Sequence, residues 1–382
     1  MLRSTRSIVS AAVVLLLTAV AAAAEPVDVA SGKQPQLAVA PDGSTIHLVY
    51  GRGESVYTRS SADAGATWSD EVKVGDVPSL CCGMRRGPRI AATKDAVLVT
   101  AIGQITGPDE GGNVLCFRST DKGKTFGAGV KLNKEQGSAR EGMHDLAASS
   151  AGNVMVVWLD LRNDDKTELW CATSTDSGEK FDDDKQLYQS PGGFICQCCA
   201  PACSFDGKGN AWVMFRNVID GKRDMYVLKS RDMKRWGRAG KLGNGSWPLQ
   251  QCPMDGGMIV GLPGGDALTV WRRANTIYSD EPGKPEQELG GGQDCYGGVG
   301  PDGAYFVWLK GRQDAPLMYK SPDKPAVEVA RGATSPVVVA VGSKSSPKPV
   351  IAFQAGEKIR VLRLDAPAAG DGDGDGDGGS GG

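Results

Sequence analysis

Apolar residues recur along this chain as short runs taken two at a time, each pair split by a turn of Gly, Asp or Asn. The pairs fall at residues 37–39 with 46–50, 90–92 with 97–102, 146–148 with 154–158, 204–205 with 211–215, 258–260 with 267–271, 299 with 304–308, and 337–341 with 350–353. Most second runs end in an aromatic, among them Tyr50, Trp158, Phe215, Trp271, Trp308 and Phe353. A Tyr/Ser-rich stretch and then a polar one follow, so the unit is four strands long and occurs seven times. Strands this short cannot bury a face alone. Stacked radially they can, and the pattern predicts an all-β fold, a β-propeller of seven blades with few helices.

The ends of the chain bear on closure. Arg3 and Arg6 precede an apolar run at 8–20 and four alanines at 21–24, which reads as a secretory signal cleaved near Ala24. The run is short for a membrane span, so the expectation is a secreted or periplasmic protein with no stable membrane insertion after cleavage. The chain then resumes with Pro26-Val27-Asp28-Val29-Ala30, which is similar to the fourth-strand stretches at 72–74, 130–132 and 327–329. The last repeat ends at Leu364 without a fourth strand of its own. The N-terminal strand is therefore predicted to complete the final blade and leave no open edge. The propeller spans 25–365, and 366–382 is a Gly/Asp tail that cannot bury anything and is expected to be disordered. With 43 basic against 45 acidic residues, the chain has no electrostatic footprint for nucleic acid.

Three repeats share a sharper segment after the third strand: Ser61-x-Asp63-x-Gly65 ending in Trp68, Ser119-x-Asp121-x-Gly123 ending in Phe126, and Ser174-x-Asp176-x-Gly178 ending in Phe181. A fourth, Ser230-x-Asp232 ending in Trp236, lacks the Gly and is one residue shorter. Such a segment folds a turn: Ser and Asp side chains cap backbone N–H groups, Gly supplies a positive φ, and the aromatic plugs between strands. The four segments resemble the Asp-box, or BNR repeat, of the bacterial sialidase superfamily. In that superfamily the boxes lie away from the active site, so they speak for the fold rather than for the activity. The resemblance implies six blades, the repeats seven.

Segments that enter the first strand of each blade share one face with those that leave the second. Entering segments include Cys81-Cys82-Gly-Met84-Arg85-Arg86, Arg140-Glu141-Gly-Met143-His144-Asp145, Cys196-Gln-Cys198-Cys199, Cys252-Pro-Met254-Asp255 and Asp294-Cys295-Tyr296. Leaving segments supply Arg52, Asp160 with Arg162, Arg216, Arg272 with Arg273, and Arg312. Several blades thus deliver a cation to one mouth, which predicts a site for an anionic ligand, most simply a carboxylate. Local pairing of these arginines with Asp160, Asp164 and Asp255 is the structural alternative.

The sialidase resemblance carries residue roles. An Arg that opens an inner strand joins two others around the substrate carboxylate, an Asp does acid/base work, and a Tyr activated by a Glu is the nucleophile. Arg86-Gly87-Pro88 stands in the first place, Arg216 and Arg272 are the second and third arginines, and Asp160 also faces the ligand. Asp109 takes the acid/base position, and Tyr296 with Glu141 the nucleophile pair. These roles imply an exo-α-sialidase acting on an acidic glycan without a cofactor. A tyrosine nucleophile avoids setting a carboxylate against the substrate's own carboxylate. The chain also resembles a subgroup of secreted sialidase-like propellers through Cys196 to Cys199, Arg216-Asn217, Arg223-Asp224 and Cys252-Pro-Met-Asp-Gly256.

Eight of the ten cysteines precede inner strands of four blades and are expected to lie close together. In an oxidising compartment they read first as disulfides that stiffen the mouth. They also form, with His144 and nearby methionines, a soft set suited to copper or zinc, with Cys196, Cys198, Cys199 and Cys252 as the ligands. Cys116 and Cys171 hold equivalent places in two third strands and read as small buried hydrophobes. His47 reads as structural. The competing function classes are a noncatalytic glycan- or protein-binding propeller and a metal-binding one, and the sequence leaves oligomeric state open.

Overall fold

The computed structural model describes residues 25–105, 111–163 and 166–364. The signal expected at 1–24, the tail at 366–382 and Asp109 lie outside the described residues. Among these there are 28 strands, β1 to β28 in chain order, and no helices. They form seven four-stranded antiparallel sheets. The innermost strands of blades 1 to 7 are β2 (Lys33–Val39), β6 (Arg89–Ala92), β10 (Ala139–Ala148), β14 (Ala202–Phe205), β18 (Met258–Gly261), β22 (Gln293–Gly300) and β26 (Thr334–Ser343). Each touches the next, and β26 touches β2, so the ring is closed.

The second strands show why the pattern needs a radial stack. Blade 1 has β3 (Ile46–Arg52), whose Ile46, Leu48 and Tyr50 face blade 7 while Val49 faces blade 2. In blade 3, β11 (Val154–Asn163) sends Val154, Val156 and Trp158 toward blade 2 and Met155, Val157 and Leu159 toward blade 4. A strand buried on both faces reads as a continuous apolar run, and the run is what the sequence shows. Seven apolar clusters result, one in each interface between neighbouring blades.

Closure follows the predicted route. β1 (Val27–Ser31) pairs antiparallel with β28 (Lys358–Arg363) and supplies the outer strand of blade 7. The seven-blade count from the repeats holds and the six-blade alternative does not: a six-blade ring would leave one of these four-stranded sheets without a place.

The four Ser-x-Asp segments turn at the end of the third strands. Gly65, Gly123 and Gly178 donate their N–H to Ser61, Ser119 and Ser174 at 2.8, 2.8 and 3.0 Å. Each Ser hydroxyl donates to its Asp, and Thr67, Thr125 and Lys180 return a backbone N–H to Asp63, Asp121 and Asp176. Asp63 is held down to about 2 chiefly by the Thr67 hydroxyl and amide. The turn needs two successive left-handed residues, Ala64 and Gly65 with φ of 57° and 79° in blade 1. A Cβ on Gly178 would come within 2.3 Å of Leu98 in blade 2, so these turns also set the spacing between blades. Trp68, Phe126, Phe181 and Trp236 pack onto the interface clusters. In the fourth segment the Ser230 hydroxyl lies closer to the Arg235 carbonyl, at 2.7 Å, than to Asp232, at 3.2 Å, and Met233 takes the positive φ.

A chain shortened to begin after Ser31 exposes the edge of β28. It is expected to unfold several degrees below the intact chain and to self-associate as concentration rises. Thermal scans at two protein concentrations check this, and an unchanged midpoint would contradict closure by β1.

Candidate functional site

Inner strands begin where second strands end, as the pairing of Lys33 with Gly51 shows, and third strands end at the opposite pole. The Ser-x-Asp turns and the charged segments therefore occupy opposite faces. On the charged face the inner strands are irregular. Register slips between Lys33 and Gln36, Gln293 and Tyr296, and Thr334 and Val337. The bulged residues Gln34, Asp294 and Ser335 adopt φ of 55°, 52° and 50°. Left-handed backbone at non-glycine residues is costly and is kept where surrounding contacts over-determine it. Here those contacts are Gln34 to Ser335 at 2.6 Å, the Gln34 amide to Gln354 at 3.1 Å, and the Asp294 amide to the Asp255 carboxylate at 3.1 Å.

These bulges line a chamber on the axis together with Gln36, Arg85, Arg89, Asp145 and Tyr296. Its free space is about 30 Å³, room for one or two waters or a carboxylate group but not for a sugar ring. Around it three arginines meet three carboxylates. Arg85 and Arg272 flank Asp255 at 3.6 and 3.5 Å, and Arg89 lies 3.5 Å from Asp145. These ion pairs are loose, and the buried Asp255 Oδ1 has no hydrogen-bond donor among the described residues. Asp294 is pushed up to about 6 by burial and by the Asp255 charge, with Arg85, Arg272 and Arg312 opposing. Burial also raises Asp145, against Arg89 and the Cys203 amide that donates to it at 2.8 Å. Tyr296 donates to Gln36 at 2.9 Å, and burial followed by the Asp145 charge lifts its hydroxyl above the ordinary tyrosine range.

The residues named from the sequence are distributed differently. Tyr296 stands at the chamber and Arg272 at the edge of its charge network. Arg86 and Glu141 form an ion pair with each other at 2.9 Å, so Glu141 is engaged with arginine rather than with Tyr296. Arg216 is buried and donates to the carbonyls of Arg223, Asp255 and Arg272 at 2.9 to 3.0 Å. Asp160 is buried and accepts from Ser138, Trp158 and Arg162. The recurrence of Arg at second-strand ends has a local cause in three blades. Arg52, Arg162 and Arg273 stack on Tyr57, Trp170 and Tyr278 and pair with Glu71, Asp184 and Glu286. Sequence reasoning placed Arg85, Asp145 and Asp294 on the right face without giving them roles, and named Asp255 only as a local partner of the arginines, which it is for Arg272. Their signal was position: Arg85, Asp255 and Asp294 lie at or just before the start of an inner strand, and Asp145 just after the slip in β10.

The cysteines gather only in part. Cys198 and Cys252 are bonded, linking the segment that enters blade 4 to the one that enters blade 5. The Cys196 sulfur lies 3.3 Å from Cys252 and 3.6 Å from Cys199, and Arg223 donates to it at 3.2 Å. Cys81, Cys82, Cys203 and Cys295 are free and stand elsewhere on the face. Cys116 and Cys171 are buried in their third strands, as expected. His144 also stands apart: its ring nitrogens meet the Gly142 carbonyl at 3.3 Å and the Thr100 hydroxyl at 3.1 Å.

No protein-family profile matches the chain, and no curated protein matches it. Solved structures do match in fold. A Penicillium chrysogenum α-L-arabinanase complexed with arabinobiose is 11% identical over 90% of this chain and 98% of its own, with a TM-score of 0.55. An ulvan lyase of the polysaccharide lyase family PL25, bound to a GlcA(1-4)Rha3S unit, is 11% identical over 89% of this chain and 96% of its own, with a TM-score of 0.53. A Hadza microbial sialidase is 12% identical over 82% of this chain and 74% of its own, with a TM-score of 0.50.

Two outcomes follow from the buried charges. Asp255→Ala leaves Arg85 and Arg272 facing each other without their anion, and denaturant unfolding is expected to show a loss of about 3 kcal/mol. His144 is held near 3 by burial and by Arg89, against an ordinary 6.5. Below pH 6.5 the unfolded chain takes up a proton that the folded chain refuses, so stability falls as pH drops from 6.5 toward 3. His47 is lowered too and acts with the same sign. Unfolding curves at pH 7 and pH 5 should differ less in His144→Gln than in the wild type.

Proposed function

We propose that this propeller acts on glycans and seats the carboxylate of an acidic saccharide in the axial chamber, its sugar ring resting in the mouth above. The observation that carries the reading is the pair Arg85 and Arg89 lining a space of carboxylate size beside Tyr296, with Arg272 on Asp255 at its edge. The fold-level neighbours support it, since those described above are an arabinanase, an ulvan lyase and a sialidase. Protonating Asp294 removes a negative charge from the chamber and leaves the arginines in excess. An anionic ligand is therefore expected to bind more tightly at pH 5 than at pH 7.

The finer form of the proposal is exo-α-sialidase chemistry with Tyr296 as nucleophile. Asp145, whose charge bears most strongly on the Tyr296 hydroxyl, would take its proton, since Glu141 is engaged with Arg86. Asp294 would serve as a proton donor already inside the site, and Asp109 keeps the acid/base role that the resemblance gives it. A secreted or periplasmic setting belongs to the same proposal.

Binding of sialic acid and glucuronic acid by calorimetry, with turnover of a fluorogenic α-sialoside, tests both levels. Arg272→Ala is expected to weaken binding about tenfold or more. Tyr296→Phe is expected to keep binding and lose turnover. Binding without turnover would remove the hydrolase level alone, and no binding of either acid at pH 5 or pH 7 would remove the whole reading.

A further inference from the structure

We infer that Cys196, Cys198, Cys199 and Cys252 form a four-sulfur site for a zinc-class divalent ion, closed when Cys198 and Cys252 are bonded and opened when that bond is reduced. The inference stands apart from the glycan reading and uses none of its residues as ligands.

Geometry is the first argument. A tetrahedral ion with metal–sulfur bonds of about 2.3 Å sets its sulfurs about 3.8 Å apart. The separations among Cys196, Cys199 and Cys252 are 3.6, 3.3 and 4.0 Å, which bracket that edge. The sulfurs of Cys196, Cys198 and Cys252 all lie within 4.8 Å of one another. The Cα atoms of Cys198 and Cys252 are 6.4 Å apart, a spacing that suits two ligands of one ion as well as a bond. Cys196 and Cys199 have the Cys-x-x-Cys spacing of zinc-binding loops, and Cys252 comes from the next blade, so the ion would tie two blades together.

The surroundings suit bound thiolates. The Cys198 amide donates to the Cys196 sulfur, and the Asp255 amide to that of Cys199. Arg223 donates to the Cys196 sulfur at 3.2 Å and pins the Cys252 loop through the Leu249 and Gln250 carbonyls at 2.9 and 3.2 Å. Arg216 is buried nearby, and its Nε has no hydrogen-bond partner. Hydrogen bonds of this kind from outside the ligand set orient and stabilise metal-bound groups.

Charge selects the ion. Four thiolates and a divalent cation sum to −2, which Arg216 and Arg223 neutralise, whereas a monovalent copper ion would leave a buried charge without a partner. His144 is not needed, and its two ring nitrogens are already engaged.

The redox step balances with a dithiol as reductant. Two electrons and two protons pass from the dithiol to the Cys198–Cys252 bond, leaving two protein thiols and an oxidised dithiol. A zinc ion then displaces the thiol protons of the four cysteines into solvent. An oxidised dithiol, taking back two electrons and two protons, reforms the Cys198–Cys252 bond; the ion leaves, and Cys196 and Cys199 regain their protons from solvent.

The test uses the full chain, reduced anaerobically with dithiothreitol, freed of the reductant and titrated with Co²⁺ as a coloured substitute for zinc. The expected result is about one equivalent bound, with the intense sulfur-to-cobalt charge-transfer band of a tetrahedral thiolate site and displacement by Zn²⁺. The oxidised protein should bind none, Cys196→Ser and Cys199→Ser should lose the band, and Cys116→Ser should keep it. X-ray absorption on the zinc-loaded wild type should show sulfur alone in the coordination shell, a readout that requires no variant to fold. A shell containing nitrogen or oxygen ligands, equal binding by oxidised and reduced protein, or no band in the reduced wild type would each overturn the inference.

Discussion

The constraint on which everything else rests is that no blade of this protein can bury its own surface. Each middle strand presents apolar side chains to both sides, Leu48 and Tyr50 toward one neighbour and Val49 toward the other. A sheet with two apolar faces is stable only between two others, and a row of such sheets ends in two exposed faces unless it bends into a ring. The chain completes that ring with its first described residues, since β1 supplies the outer strand of the last blade. The Ser-x-Asp turns belong to the same logic. They hold the outer corners at a fixed spacing, and Gly65 and Gly178 lie against Val350 and Leu98 of the preceding blades.

Closure has a consequence at the axis. Seven inner strands converge there, and their first residues cannot all continue regular pairing toward one line. Four of them, β2, β10, β22 and β26, bulge, and residues in these bulges and in the segments before other inner strands bring polar groups to a narrow common space. Arginines buried there require anions, and Asp145 and Asp255 provide them at ranges of 3.5 to 3.6 Å that leave hydrogen-bonding capacity unused. Asp294 is buried beside the Asp255 charge and takes up a proton more readily in consequence, despite Arg85, Arg272 and Arg312. A chamber with loosely held arginines, an orphan carboxylate oxygen and a titrating acid is suited to exchange its internal partners for those of a ligand.

The architecture was legible because it is written redundantly: the same alternation, turn chemistry and closing aromatic recur in blade after blade, and the fourth-strand character of 26–30 gave away the closure. The site was legible only as a face. Which arginine points inward depends on the bulge at each inner strand, and a one-residue slip reverses the side chain. Before β6, whose pairing is regular, the Gly83–Arg86 turn with left-handed Met84 and Arg85 has the same effect: Arg86 pairs with Glu141, while Arg85 and Arg89 line the chamber. Similarly, Arg216 looks like a ligand-binding arginine in the sequence, yet in the fold it supports three carbonyls. The cysteine spacing grouped Cys252 with Cys196, Cys198 and Cys199, but not which of the three Cys252 would bond.

The sulfur cluster and the axial chamber are joined through one residue. Asp255 gives its backbone amide to the Cys199 sulfur and its carbonyl to Arg216, while its carboxylate lies between Arg85 and Arg272 and accepts from the Asp294 amide. A shift of the Cys196 to Cys199 loop therefore moves the anion that positions two axial arginines and raises Asp294. Because Asp255 is buried and its carboxylate is held by charge rather than by tight hydrogen bonds, even a small displacement alters the balance between its two arginines. The linkage between blades 4 and 5 is thus part of the electrostatics of the mouth as well as of its rigidity.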